Sequence, residues 1–440
     1  MPKGKKRNKK QEDKEDKAQK DDNEFTPATD PNTLSTSSSL LILGMGELGQ
    51  LGLGEDVIER KKATPVGGVL KGKKILQVVC GGIHTVALLD GGEVFTWGCN
   101  DEGALGRSVS TTDEYTPGVV KKLKGFNITQ VSAGDCHTAA LTDNGHVYCW
   151  GVFRDADGPL GLVNSKPEFE PELVYSSAFN KAIKVTSGSN HIVILTEHGD
   201  IYSFGCGDSG QLGRVPECFS TRGGRRGIGY LLAPQIVRFP KKGRRLTGKA
   251  GATKSFKISD VYAGEHCSFA IGSEDRQIYV WGLNHRGQLG LGDQESRFVP
   301  EKVPEDWLWD WAKSSKQDKQ LLIAGGGSHS LVCNDGHLYS MGANEYGQLG
   351  LKQIEMTSKP TKLSGISDVT DIACGGRCSF AVTKDGKVFS WGIGSNYQLG
   401  CGLDEDDVFE PTPMVGKHVE NVLKVSSGGQ HTSLLVDCSK

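Results

Sequence analysis

Residues 137–151 read HTAALTDNGHVYCWG. Two runs carrying Thr, Leu, Val, Tyr and Trp flank an Asp-Asn-Gly triplet, and apolar–polar alternation around an Asn-Gly pair is the strongest short-range signal for a β-hairpin. Immediately before it stands SAGDC (132–136), whose small residues suit an innermost strand, where neighbouring elements crowd an axis and large side chains would clash. The hairpin is thus part of a larger unit, and that unit recurs. Its His phrase returns as CGGIHTVAL at 80, TSGSNHIVIL at 186, YAGEHCSFAI at 262, AGGGSHSLV at 324, CGGRCSFAV at 374 and SGGQHTSLL at 427. Its closing Trp-Gly leads a second phrase, WGVFRDADGPLG at 150, matched by LGMGELGQLGLG at 43, WGCNDEGALG at 97, FGCGDSGQLG at 204, WGLNHRGQLGLG at 281, MGANEYGQLG at 341 and WGIGSNYQLG at 391.

Seven copies of a unit of roughly 50 residues fit the blades of a β-propeller, four short strands to a blade. The first Gly-Gln-Leu-Gly phrase has no His phrase before it, and the last His phrase has no Gly-Gln-Leu-Gly phrase after it. Each end is therefore half a blade. If 40–70 supplies the outer strands of the blade whose inner strands are 421–436, the ring closes and no sheet edge stays open. The expected fold is all-β, a seven-bladed propeller over 40–440 with a charged tail over 1–39. The 60 glycines in 440 residues, roughly twice the usual share of about 7%, agree with many tight turns.

The formal net charge of -2 conceals local extremes. Residues 1–10 hold six basic residues and no acidic one, whereas 11–24 hold seven acidic residues against three lysines. So little apolar surface cannot offset ordering entropy, which predicts disorder up to about 39. Lys5, Lys6, Arg7, Lys9 and Lys10 fit a nuclear-import cluster read by an import receptor, and they also suit nucleic-acid phosphates. The 12 cysteines include no Cys-x-x-Cys pair, so reduced thiols packed as small core residues are expected rather than disulfides or a metal site. No apolar run suggests a membrane segment.

The repeat combining Gly-x-x-His-Thr-x-x-Leu with Trp-Gly-x-x-x-x-Gly-Gln-Leu-Gly resembles the regulator of chromosome condensation family over about 40–440. The resemblance extends to GELGQLGLGEDVIERKK, FRDADG and GCGDSGQLGRVPECFSTRGGRRG. It implies a nuclear, chromosome-bound guanine nucleotide exchange factor for the small GTPase Ran, supplying Ran-GTP near chromosomes for transport, spindle assembly and mitosis.

Departures from the period mark where function is grafted on such a scaffold. Glycines 44, 98, 151, 205, 282, 342 and 392 are separated by 54, 53, 54, 77, 60 and 50 residues, so one blade carries a long surplus. It includes VPECFSTRGGRRGIGYLL, with Arg222, Arg225 and Arg226, and then 238–257, with eight basic residues and no acidic one. Such clustering is the footprint of a phosphate-binding surface, and arginines on a Gly-rich loop can also grip carboxylates. The resemblance makes Arg222, Arg225 and Arg226 a loop for the acidic patch of the nucleosome's histones. It gives Lys241, Lys242, Arg244, Arg245 and Lys249 contacts to nucleosomal DNA.

The other departure is Phe153-Arg154-Asp155-Ala156-Asp157-Gly158-Pro159-Leu160, where Asp-Gly predicts a small protruding hairpin. By resemblance it is the wedge pressed against Ran's nucleotide pocket. The same resemblance gives Asp135 a role in turnover, Arg214 and Asn190 a place in Ran binding, Glu47 a position usually Asp, and His329 and His431 a face toward Ran. Asn190 departs from the usual Asp, and Gly287 stands where His is common, with His285 nearby.

His84, His137, His191, His329 and His431 occupy equivalent places, with Cys267 and Cys378 in the remaining two. A residue repeated in every blade is expected to be structural, bonding backbone near the axis, rather than catalytic or metal-binding. WLWDW at 307–311 reads as packing. No Walker-type phrase occurs, so the chain is expected to bind neither nucleotide nor cofactor and to act on a partner without covalent chemistry. A propeller scaffold binding chromatin or proteins without exchange activity is the alternative.

Overall fold

The computed structural model describes residues 38–239, 256–274, 276–305, 307, 321–402 and 406–439. Among the described residues, seven four-stranded sheets and one two-stranded hairpin account for the strands. Numbered along the chain, the blades span 75–119, 128–175, 182–236, 258–302, 321–362 and 369–413, and the seventh combines 422–437 with 38–65. In blade 1, Ile75–Cys80 pairs with His84–Leu89, which pairs with Val94–Gly98, which pairs with Gly118–Val119, all antiparallel.

Blade 7 closes the ring from both ends of the sequence. Ser38–Met45 lies antiparallel to His431–Asp437 in unbroken register from Ser38↔Asp437 to Gly44↔His431, and Glu59–Pro65 forms the outer edge. The innermost strands touch in a closed circuit, from Ile75–Cys80 through Ile128–Ala133, Ala182–Ser187, Ile258–Ala263, Leu321–Gly325, Val369–Cys374 and Val422–Ser427 back to the first. They enclose a central channel of about 290 Å³ lined by all seven blades.

The hydrophobic core is divided among the seams between blades. The second strand of every blade is therefore buried on both faces, as in His84–Leu89, His137–Thr142 and His191–Thr196. The alternation in HTAALT marks no wet face, because a blade is sandwiched between two others there. Trp97, Trp150, Trp281 and Trp391 are fully buried in these seams.

Glycine is needed where blades converge. A Cβ on Gly134 would lie 2.0 Å from Cε1 of His137 and 2.5 Å from the carbonyl oxygen of Gly188 in the next blade. At this radius the imidazole and the neighbouring backbone already fill the space a side chain would take. Gly151 adopts φ +93°, with the Cys136 carbonyl 2.2 Å from where a Cβ would stand.

Trp307 is 6% exposed and donates from Nε1 to the Gly290 carbonyl at 2.9 Å, against Met341. It fills the place that the Trp of the Trp-Gly phrase occupies in other blades. Trp309 and Trp311 lie outside the described residues, as do Lys5, Lys6, Arg7, Lys9, Lys10, Lys241, Lys242, Arg244, Arg245 and Lys249.

Candidate protein-docking face

In each blade the loop from first to second strand (the Gly-x-x-His phrase) and the loop from third to fourth (the Gly-Gln-Leu-Gly phrase) leave the same end of the sheet, because the strands are antiparallel. One face of the ring therefore collects both repeated phrases, while the Asp-Gly hairpins emerge on the other. Strands Gln235–Ile236 and Ile258–Ala263, which bracket the basic segment, meet it at the hairpin face.

The phrase-bearing face is sewn together around the channel. Backbone N–H groups donate across the seams from Gly82 to Gly134, Asp135 to Ser189, Ser189 to Glu265, Gly327 to Gly376 and Gly429 to Gly82, at 2.9–3.2 Å. One layer deeper, His84 Nε2 meets Thr138 Oγ1, His191 meets Ser268, His329 meets Ser379 and His431 meets Thr85, at 2.8–2.9 Å. Because each hydroxyl also donates to a carbonyl of the preceding blade, the imidazole is the donor to it. These four histidines are structural, bonding hydroxyls of the next blade, and His84, His329 and His431 also lie against backbone as expected. Burial holds their pKa values down, to about 4 for His84 and His329 and about 3 for His191 and His431.

His329 and His431 are each 0% exposed, so neither ring stands on the docking face, and any effect on a partner passes through the seam it closes. A phrase in a sequence carries no depth, so the positions of these two rings in the repeat do not reveal their burial. Glu47 is exposed on a loop whose carbonyl accepts from the Tyr115 hydroxyl at 3.2 Å. Arg214 is engaged internally: Nε donates to the Ser203 carbonyl, and Nη2 to those of Tyr230, Leu231 and Ala233, at 3.1–3.2 Å. It fastens the blade 3 excursion to its sheet and is not a free cation for a partner.

The hairpin forms as expected, Phe153–Asp155 against Gly158–Gly161. Phe153 and Leu160, however, are at most 1% exposed in the core between blades 2 and 3, because they replace the packing of an ordinary loop. The parts that reach solvent are Ala156, Asp157 and Pro159, with Arg154, Asp155 and Gly158 part-buried. Asn190 ties this hairpin to Asp135: its Oδ1 accepts from the Arg154 N–H at 2.8 Å, and its Nδ2 donates to Asp135 Oδ2 at 3.3 Å. An aspartate at 190 could not donate to a second carboxylate, so the amide is suited to this junction.

Asp135 stands at the channel mouth, open to solvent at residue level, yet the chain packed around its carboxyl raises its pKa, opposed by Ser189, His266 and Asn190. Glu265, at the equivalent position of blade 4, was missed in the sequence. Its carboxylate reaches across blades 5 and 6, within 2.9 Å and 3.3 Å of where Cβ atoms on Gly327 and Gly376 would stand. Burial and then the Asp135 charge push its pKa up to about 8, against the pull of Arg377. The signal was available in GEHC at 264 aligned with GDCH at 134.

The excursion in blade 3 packs as two short turns and the helix Ile228–Leu232. Arg225 and Arg226 are exposed, the latter 4.6 Å and 5.6 Å from the rings of Tyr230 and Phe219. Arg222 turns the other way, onto the hairpin: Nη2 lies 2.8 Å from Asp155 Oδ1 and Nε 3.2 Å from Asp157 Oδ2.

A closed seven-bladed ring whose one decorated face gathers carboxylates, an anchored hairpin and an arginine loop defines a β-propeller of the RCC1-like class. The RCC1-like domain model matches residues 39–434. The chain is 45% identical over 404 residues to the regulator of chromosome condensation of Homo sapiens, covering 90% of each. It is 29% identical to the guanine nucleotide exchange factor SRM1 of Saccharomyces cerevisiae, covering 88% of this chain and 85% of that one. Among solved structures, Prp20p of Saccharomyces cerevisiae, described with its binding properties to Gsp1p and histones, superposes with a TM-score of 0.77 at 29% identity, covering 92% of this chain and 93% of that one. The same yeast protein has been solved bound to Kap60. The chain belongs to the regulator of chromosome condensation family.

Proposed function

We propose that this chain is a chromatin-bound guanine nucleotide exchange factor for the small GTPase Ran. The observation that carries the reading is the hairpin at 153–161 standing beside Asp135 and joined to it through Asn190. The relatives named above support it, since SRM1 is named as a guanine nucleotide exchange factor and Prp20p is described with its binding properties to Gsp1p and histones.

An exchange factor has to bind the empty GTPase more tightly than the loaded one, and that difference in affinity drives GDP and Mg²⁺ out. The exposed tip, Ala156-Asp157, is the part that presses on the nucleotide pocket, with Asp135, Glu47 and Asn190 holding the partner on the same face. His329, His431 and Arg214 keep that face in shape from within. The exposed Arg225 and Arg226 suit the acidic patch of core histones. The basic residues of 238–257 and of the charged tail 1–39 suit DNA phosphates and an import receptor, which supports action on chromosomes in the nucleus.

The test is stopped-flow release of fluorescent GDP from Ran with catalytic amounts of the intact chain. Acceleration is expected, falling by roughly tenfold or more in Asp135→Ala and in an Ala156→Gly/Asp157→Gly tip variant, each loss corresponding to about 1.4 kcal/mol. Removing 153–160 whole would confound the result, because Phe153 and Leu160 are core. Absence of acceleration at any concentration overturns the proposal and leaves a scaffold.

A further inference from the structure

We propose that Arg222 is a positioning residue for the 153–161 hairpin, clamping it from blade 3, and that it does not serve as a docking cation. The inference rests on reading the hairpin as the exchange element.

The clamp replaces a fastening that five of the other six blades share. In blades 1, 2, 4, 5 and 6 the hydroxyl after the axial His or Cys donates to a carbonyl in the Gly-Gln-Leu-Gly loop of the preceding blade: Thr85 to Gln50, Thr138 to Ala104, Ser268 to Gln211, Ser330 to Gln288 and Ser379 to Gln348, at 2.7–3.0 Å. Trp97, Trp150, Trp281 and Trp391 donate to the same carbonyls in four of these seams, at 2.8–3.1 Å. The hairpin is the corresponding loop of blade 2. Facing it, blade 3 carries Ile192 and Phe204, neither of which has a side-chain donor. His137, which would have bonded the missing hydroxyl, is 0% exposed with no partner for either ring nitrogen among the described residues, and it packs 4.7 Å from the Phe153 ring.

A loop that has lost its shared latch needs another one. Asn190 supplies one bond to its root, the Arg154 side chain pairs with Glu102 of the blade 1 loop, and Arg222 reaches Asp155 and Asp157 at once. The Asp155 side chain is 2% exposed, so the guanidinium is the counter-charge of a buried anion. Arg222 reaches it from a left-handed backbone, φ +44°, followed by Gly223 at +77° and Gly224 at +50°. A non-glycine residue held there is strained, and such strain persists where surrounding contacts over-determine it. Asp208 lies close enough to Asp155 that burial and then this like charge raise its pKa, so the two carboxylates that Arg222 reaches stand in a crowded acidic cluster. The long interruption of blade 3 thereby has two separate tasks: Arg222 looks inward to the hairpin, while Arg225 and Arg226 look outward.

The experiment compares the intact chain with Arg222→Gln, Arg222→Lys, Asp157→Asn and the Arg225→Ala/Arg226→Ala pair. Amide hydrogen exchange of 153–161, GDP release from Ran and affinity for nucleosome core particles are the three readouts. Arg222→Gln is expected to speed hairpin exchange by roughly tenfold or more, as loss of a charge-assisted bond implies, while the buried second strands stay protected. Its release kcat falls and its nucleosome affinity holds. Arg222→Lys recovers part of both hairpin protection and kcat, and Asp157→Asn, which leaves the Asp155 pair in place, shows a smaller change in the same direction. The paired Arg225/Arg226 variant behaves oppositely, losing nucleosome affinity with an unchanged hairpin. Wild-type hairpin protection in Arg222→Gln, or loss of nucleosome affinity with the hairpin intact, overturns the proposal. If the intact chain releases no GDP, the exchange reading fails, while hairpin protection still decides the clamp.

Discussion

His84 and His137 share one motif and one depth, both essentially unexposed, but the first has Thr138 opposite it and the second has Ile192. A buried polar group costs folding free energy unless it is paired, so the same substitution is expected to have opposite signs at the two sites. His84→Leu abandons the Thr138 hydroxyl and lowers stability by about 1–3 kcal/mol. His137→Leu removes two unpartnered nitrogens from an apolar seam and leaves stability unchanged or raised. Denaturant unfolding of both variants decides this, and equal losses would show that His137 is satisfied in solution. Glu265 gives a second test at this scale. With its pKa raised to about 8 from 4.5, the folded chain holds a proton that the unfolded chain has lost between those values, so its contribution to stability falls as pH rises through that window. Glu265→Gln is expected to flatten that fall, and an NMR titration of the wild-type carboxyl to show a midpoint near 8. A midpoint near 4.5 would mean that the carboxylate is well solvated at the channel mouth.

The blades were legible in the sequence because each repeats the same physical demands: a turn signal, a glycine where neighbours converge and a tryptophan for the seam. The pairing of half-blades was legible for the same reason, since an unmatched edge would have been left open. The hairpin too was visible, as a break in the Gly-Gln-Leu-Gly phrase. What stayed hidden was direction. Arg214, Arg222, Arg225 and Arg226 read alike as basic residues in a Gly-rich stretch, yet the first binds its own excursion, the second the hairpin, and the last two face solvent. Phe153 and Leu160 read as wedge and fold as core. Repetition could reveal Ile192 and Phe204 as exceptions, but their consequence required knowing that their counterparts fasten the preceding loop.

Across the whole ring, the seams make stability acid-sensitive. His84, His191, His329 and His431 titrate at about 3–4 in the fold, His137 is also driven well below its ordinary 6.5 by burial, and all five regain the ordinary value on unfolding. Between about 4 and 6.5 the unfolded chain therefore binds more protons at these sites, so their contribution is complete above 6.5 and drains away as pH falls. Each such imidazole adds up to about 1.4 kcal/mol per pH unit within its window. Glu265 opposes one of them in the same range, since its raised pKa favours the fold as pH drops. Asp135, Asp208 and Asp371, whose pKa values burial also raises, act in the same sense as Glu265, but the five histidines outweigh them from pH 7 to pH 5, which is expected as a falling denaturant midpoint with proton uptake on unfolding. The ring closes through His431 on Thr85, joining the last strand to the first complete blade, so one opened seam frees an edge and exposes its neighbours to the same protons. Acid unfolding should accordingly be cooperative, and His137→Leu should lower its proton uptake without breaking a latch. A midpoint independent of pH between 7 and 5 would show that the imidazoles are solvated and that apolar packing alone holds the blades together.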